Sequence, residues 1–283
     1  MPGPVAARTR RDRCPGALRP WAADDGLLVR LRLIGGRVRS SSLRALADVA
    51  EEYGDGRIRL TGRANLQVRG LPGTSAALDP DVLAALERTG LLPTRTHELV
   101  RNVLVSPQTG LAGGRADLRP VAAELDRLLC ADAALAGLPG RFLFVLDDGR
   151  GDLVDRTGDL GIVALDSGTA QLRVGDGWGP VVALRDAPAT LAGLAASFAA
   201  RRGSGPAAPW HVVELSAPLA DPVPPDPHLP HPVGAPPFGD VPGGRHVAAA
   251  GGLDRVAVDE LVADVPEVVV TPWRGVLVPE RQR

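Results

Sequence analysis

The chain has 283 residues, 45% hydrophobic and 23% charged, with a formal net charge of −1, two cysteines and no lysine among its 32 basic residues. This is the composition of a globular protein with room for two or three domains, and a near-zero net charge sets up no general field for nucleic acid or a membrane surface. No apolar run approaches the ~18 residues of a membrane-spanning helix, and the distant pair Cys14 and Cys130 is neither a disulfide framework nor a zinc-finger spacing.

Met1 to Arg13 is basic and Pro-rich and lacks the apolar stretch of a secretory signal, so a cytoplasmic protein with reduced thiols is expected. Residues 1–22 read as an irregular arm. From Leu27 to Leu33, Val29, Leu31 and Leu33 alternate with Arg30 and Arg32, the pattern of a half-buried strand. Gly35-Gly36 is a turn signal. Ser40 to Ser42 offers an N-cap to a helix carrying Leu43, Leu46, Val49 and Ala50, with Gly54 at its end. Arg57 to Thr61 and Asn65 to Leu71 read as strands. Asp79-Pro80 opens a second helix that closes at Gly90. Residues 23–92 are thus expected to form a β–α–β–β–α module.

Between 93 and 202 the pattern predicts a helix over Leu118 to Leu129, strands at Phe142 to Leu146, Leu160 to Leu165, Ala170 to Val174 and Pro180 to Leu184, and a helix over Pro188 to Arg201. Residues 203–245 look like a Pro/Gly-rich linker, with ten prolines between 216 and 245. The C-terminal part then echoes the first module. Gly251-Gly252, a helix over Val258 to Ala263 and a strand ending at Thr271 repeat Gly35-Gly36, the first helix and the strand ending at Thr61. A polar step with an arginine follows each threonine, Arg63 in one copy and Arg274 in the other.

The segment from Arg57 to Arg69 carries the most chemistry. Read with period two, one face holds Arg57, Arg59, Thr61, Arg63, Asn65, Gln67 and Arg69, the other Ile58, Leu60, Gly62, Ala64, Leu66 and Val68. Guanidinium forks pair with carboxylates in geometry as well as charge, so the first face suits an oligocarboxylate. A solvated sheet face is polar too, and the pattern leaves both readings open. Arg101-Asn102 is a second polar step between apolar stretches. Asp147 to Asp152 reads as a strand-connecting turn, since it lacks the spacing of a calcium loop. His228 and His231 read as loop features without ligand partners. No metal site, phosphate loop or nucleophile motif is found, and no residue is assigned a catalytic role.

At these residues the chain resembles the precorrin-3B synthase and sirohaem nitrite/sulfite reductase family. Thr61-Gly62-Arg63-Ala64-Asn65-Leu66-Gln67 is similar to its T-x-R-x-N-x-Q strand, and Arg101-Asn102-Val103 with Ser106-Pro107 to its R-N-V…P segment. Leu138-Pro139-Gly140-Arg141-Phe142 is similar to its L-P-x-K-F segment. Cys14-Pro15-Gly16, the block from Leu138 to Gly149 and Thr271-Pro272-Trp273-Arg274-Gly275 resemble the precorrin-3B synthase branch. The resemblance implies an α+β fold: ferredoxin-like half-modules at 23–92 and, in part, 246–283, flanking a tetrapyrrole-binding α/β domain at 93–202.

It also implies that Arg63, Asn65, Arg101, Asn102 and Arg141 contact the carboxylates of a tetrapyrrole, with Arg274 at the equivalent place in the second repeat. Arg141 and Leu143 stand where the reductases carry two lysines, which favours the corrin branch. That branch oxidises precorrin-3A with dioxygen in aerobic cobalamin biosynthesis, hydroxylating the macrocycle and closing a lactone. The family's cofactors are a 4Fe-4S cluster and a tetrapyrrole, either sirohaem or the precorrin substrate. The cluster needs four thiolates, in a C-x5-C and a C-x3-C pair after the T-P-W-R-G strand, and this chain lacks them. The expected partners are therefore a carboxylated tetrapyrrole and a separate cysteine-bearing C-terminal half. The other reading is a non-catalytic tetrapyrrole-binding module or a degenerate nitrite/sulfite reductase relative.

Overall fold

The elements follow the alternating and helical patterns of the sequence, with breaks at glycine and proline. In the computed structural model, which describes residues 12, 14–75, 77–205 and 207–280, they run in chain order as Trp21–Ala23 (β1), Gly26–Leu31 (β2), Arg37–Arg39 (β3), Ser40–Tyr53 (α1), Arg59–Leu60 (β4), Leu66–Leu71 (β5), Pro80–Arg88 (α2), Val103–Val105 (β6), Arg119–Ala131 (α3), Phe144–Asp147 (β7), Leu160–Ala164 (β8), Thr169–Val174 (β9), Gly177–Ala183 (β10), Ala187–Arg202 (α4), Gly239–Val241 (β11), Gly244–Ala248 (β12), Arg255–Leu261 (α5), Glu267–Val270 (β13) and Gly275–Pro279 (β14). They divide into two units, one built from Cys14–Leu99 and Ala235–Arg283, the other from Val100–Gly234 with the N-terminal stretch around Asp12.

The first unit holds the repeat. One antiparallel sheet has the strand order β1-β2-β5-β4, and a second has β11-β12-β14-β13 with β3 added at the edge. The first four strands of each correspond one to one, and α1 corresponds to α5. Val29, Leu31, Leu66 and Val68 are fully buried on one face of the first sheet, in one core with Leu43, Leu46 and Ala50 of α1. The second repeat is fuller than the sequence indicated. Strand β11 and the start of β12 lie inside the segment read as linker (203–245), because short strands among prolines and glycines leave no alternation to detect. Likewise β1 begins inside the expected arm (1–22), most of which (1–11 and 13) is outside the described residues.

The two repeats are interlocked. Strand β3, which leads into α1, pairs with β13 of the second repeat, while Leu253, which leads into α5, exchanges both backbone hydrogen bonds with Ile58 of the first, each 2.8 Å. Glycine permits both crossings: Gly36 (φ 74°) and Gly252 (φ 82°) sit against Val270 O and Ile58 O, where a Cβ would collide or crowd. The serine cap expected for α1 is not formed. Arg39 is the N-cap, no side chain caps the helix, and Ser40 Oγ donates instead to Val265 O.

The second unit is a mixed sheet of order β10-β9-β8-β7-β6. Strands β6, β7 and β8 are parallel, and β8, β9 and β10 antiparallel. Helices α3 and α4 pack together, and Phe142, Phe144 and Phe198 form an aromatic cluster with centroids 5.2 and 5.1 Å apart. The Pro-rich stretch is not a free tether. Val223 N–H donates to Trp178 O (3.0 Å) and Val233 N–H to Gly151 O (2.9 Å). The buried Gln171 amide donates to Pro224 O (2.9 Å) and accepts from Asp226 N–H (2.8 Å). Prolines cannot donate to a ladder, but their carbonyls accept, so the segment lies along the unit as an extended strap.

Candidate functional site

The Arg57–Arg69 segment does not run as one extended row. It reverses between Thr61 and Asn65, so that Arg59 pairs with Gln67 and Leu60 with Leu66. Three hydrogen bonds make the turn: Thr61 N–H to Asn65 O (3.0 Å), Ala64 N–H to Thr61 O (3.0 Å) and Asn65 N–H to Thr61 Oγ1 (3.1 Å). Ala64 takes the left-handed φ of 54° that closes it. The buried Asn65 turns inward and its Oδ1 accepts from Leu33 N–H (2.9 Å). Arg63 is left, half-buried, near the tip of the turn.

The reversal still gathers cations on one sheet face. Gln67 lies across from Arg30 on one side and Arg59 on the other, and Arg69 follows two residues along β5. Asp55 meets Arg59 at 2.6 Å and Asp25 meets Arg69 at 3.0 Å; Arg30 reaches Gln67 Oε1 at 3.4 Å. Three N–H groups are nevertheless buried with no acceptor among the described residues: Nε of Arg30, Nη1 of Arg59 and Nε of Arg69. Such a donor carries an uncompensated desolvation cost, which an incoming carboxylate removes. Burial also pushes the Arg30 pKa below its ordinary value, opposed by Cys14 and reinforced by Arg63. Arg59 and Arg69 belong to the polar face that the sequence pattern outlined, although the resemblance assigns them no contact; Arg30 is the residue that sequence reading left out of the site. The alternation around Val29 and the row from Arg57 were the signals, but only the strand pairing brings them together.

The second repeat contains the same turn. Thr271 N–H donates to Gly275 O (2.8 Å), Arg274 N–H to Thr271 O (3.2 Å) and Gly275 N–H to Thr271 Oγ1 (3.2 Å), and Arg274 has φ 55°. These bonds align Arg274 with Ala64, so the residue equivalent to Arg63 is Trp273. The expected equivalence of Arg274 and Arg63 is off by one position, because counting arginines after the threonine does not detect which residue takes the left-handed conformation.

Arg101, Asn102 and Arg141 lie in the other unit. Arg101 is buried and holds Asp126 of α3 with two bonds, 2.6 and 2.8 Å. Asn102 Nδ2 donates to Gly140 O (3.0 Å). The Arg141 guanidinium stacks 4.4 Å from the Trp210 ring centroid. At the ends of β6 and β7, Asp147 accepts backbone N–H groups of Gly149, Gly151 and Leu153, the turn expected there. Ser106 Oγ donates to Asp152 (2.6 Å), and burial is the chief cause that raises the Asp152 pKa to about 7.

The cluster does not fit the residues present. Cys14 and Cys130 are in different units and neither is in a disulfide; among the described residues no three His, Cys, Asp or Glu are grouped to hold a metal. Cys130, half-buried on α3, has its pKa raised mainly by burial. Cys14-Pro15-Gly16 is anchored through the next two residues: Ala17 and Leu18 N–H donate to the buried Glu98 carboxylate at 2.6 and 2.8 Å. Among the described residues no helix is long and apolar enough to cross a membrane.

One unit is a duplicated sheet-and-helix module carrying an arginine face and the other a mixed α/β unit, an α+β fold. Residues 22–87 match the family described as nitrite/sulfite reductase ferredoxin-like half domain. Over 146 residues it is 34% identical to precorrin-3B synthase of a Sinorhizobium species, covering 51% of this chain and 30% of that protein. Two ferredoxin–nitrite reductases are also similar: that of Leptolyngbya laminosa, 33% identical over 106 residues (37% of this chain, 20% of the relative), and that of Synechococcus elongatus, 34% over 130 residues (44% and 25%). The matches therefore span less than a third of each relative. The fold is shared with Mycobacterium tuberculosis NirA, at a TM-score of 0.70 and 20% identity over 95% of this chain and 60% of that one.

Proposed function

We propose that this chain is the tetrapyrrole-holding part of a precorrin-3B synthase-like oxidoreductase acting on precorrin-3A in aerobic corrin biosynthesis. The observation that carries the reading is the arginine face, with three buried N–H donors that lack acceptors on neighbouring strands. The acetate and propionate arms of a precorrin or sirohaem are acceptors of the right charge. Arg30, Arg59 and Arg69, with Arg63 and Arg274 on the two turns, would bind and orient the ring through those arms, which is positioning and charge neutralisation. Asn65 holds the first turn in shape. For Arg101, Asn102 and Arg141 the reading rests on the resemblance alone. The bound tetrapyrrole supplies the reactive ring; no step passes through a cluster, since its thiolates are not among these residues.

The test is an anaerobic absorbance titration of the purified chain with sirohaem and with a precorrin-type pigment. Saturable binding that weakens in Arg30→Ala and Arg63→Ala is expected. Equal affinity in the wild type and both variants, all folded, would leave the face a solvated one. The presence of only two cysteines favours a second reading, a tetrapyrrole-binding module without catalysis. Adding a cysteine-bearing C-terminal fragment of a related synthase separates the two: turnover of precorrin-3A supports the oxidoreductase, and binding without turnover supports the module.

A further inference from the structure

We propose that Trp273 is a ligand-contacting residue: the second repeat presents an indole platform to a planar, carboxylated macrocycle at the position where the first repeat presents the Arg63 guanidinium. This rests on reading the arginine face as the pigment site. The equivalence itself does not, since it follows from two turns closed by the same three hydrogen bonds and the same left-handed residue.

The twin turns also lie side by side within one unit. A Cβ on Gly62 would stand 3.9 Å from Pro272 O, and Gly62 and Pro272 are themselves equivalent positions. The residue after each, Arg63 or Trp273, is half-buried. A guanidinium and an indole are therefore offered from neighbouring, symmetry-related points. The first grips a carboxylate at the rim of a macrocycle, and the second has a flat apolar face for its ring.

The indole has an edge-on aromatic neighbour. The buried His246 lies 6.4 Å from Trp273 at an interplanar angle of 74°, and the Phe238 ring centroid is 4.5 Å from that of the imidazole. His246 Nδ1 is 3.2 Å from the carbonyls of Pro236 and Pro237, and Nε2 is 3.0 Å from Thr271 Oγ1. Carbonyls only accept, so Nδ1 carries a proton toward Pro236 and Pro237, and Nε2 shares a hydrogen bond with the Thr271 hydroxyl. Gly275 makes room for this arrangement, because a Cβ there would collide with the imidazole. In the first repeat the turn is braced by the side chain of Asn65, the position of Gly275; here histidine takes over the brace and steadies the tryptophan.

Uroporphyrin, a planar octacarboxylate, serves as the probe in absorbance titrations of the full chain. Trp273→Leu should bind it about five- to tenfold more weakly at an unchanged melting temperature, and Trp273→Phe should stay within about threefold of wild type. If Trp273→Leu is unstable, Trp273→Met fills the same space and is expected to lose the same factor. Wild-type affinity in the leucine or methionine variant, with Arg63→Ala weakened, would overturn the platform and leave the arginine reading standing. Wild-type affinity in Arg30→Ala and Arg63→Ala would overturn the arginine reading itself, and the platform with it.

Discussion

Ala64 and Arg274 share one backbone conformation, with φ of 54° and 55°, and are the two non-glycine residues with positive φ among the described residues. The left-handed conformation costs an L-residue roughly 1–2 kcal/mol, partly offset in any glycine replacement by the entropy of the unfolded chain. Arg274→Gly is therefore expected to stabilise the protein by about 0.5–1 kcal/mol in urea unfolding while weakening pigment binding. A variant that is less stable than wild type would show that the Arg274 side chain holds the turn.

The interlocking of the repeats predicts unequal responses at its two glycines. A Cβ on Gly36 would collide with Val270 O, whereas one on Gly252 would stand 3.0 Å from Ile58 O. Gly36→Ala should cost about 2–4 kcal/mol, combining a disfavoured left-handed φ with overpacking, and Gly252→Ala distinctly less. Denaturant midpoints measure both. Equal losses would mean that the strand pairing of β3 with β13 yields as readily as the bridge at Leu253.

Asp152 makes a prediction about pH. Its folded pKa is raised from 3.8 to about 7, so the folded state binds the proton more tightly than the unfolded one. The contribution of Asp152 to stability is fully present below the unfolded value, falls as pH rises toward 7 and is level above it. Asp25, Glu87 and Asp259, whose pKa values are lowered by arginine partners, contribute with the opposite sign as pH falls. Comparison with Asp152→Asn isolates the one group: between pH 4 and pH 8 the difference in unfolding free energy should swing by roughly 3–4 kcal/mol toward the variant. A constant difference would place the Asp152 pKa near its ordinary value.

Arg101→Ala is expected to act first on stability. The side chain is 8% exposed and its partner Asp126 23%, so its loss strands a carboxylate against α3 and should cost roughly 2–3 kcal/mol. Unfolding without pigment reveals this. A variant as stable as wild type that binds pigment poorly would instead make Arg101 a ligand residue with a dispensable bridge.

The periodic helices and longer strands were legible in the sequence because each buries one face of regular spacing: Leu43, Leu46 and Ala50 of α1, or Val29 and Leu31 of β2. The repeat was legible through its glycine pairs and threonines. Strands β1, β11 and β12 were not, being short and set among prolines, glycines and alanines. Of the candidate site, Arg63 and Asn65 stood out through their motif. Arg30 did not, because it lies more than twenty residues before the hairpin that pairs with it, and nothing local marks that pairing.

The sequence by itself determined which faces are apolar, where the cations are, that the first module is copied, and that four thiolates are not present. Those are properties of residue type and spacing, which no folding changes. Tertiary structure alone decided that the arginine segment doubles back, that each repeat lends the other a strand or bridge, and that Trp273 stands in the place of Arg63. These depend on hydrogen bonds between residues distant in the chain and on which single residue adopts a left-handed φ, and neither leaves a period in the sequence.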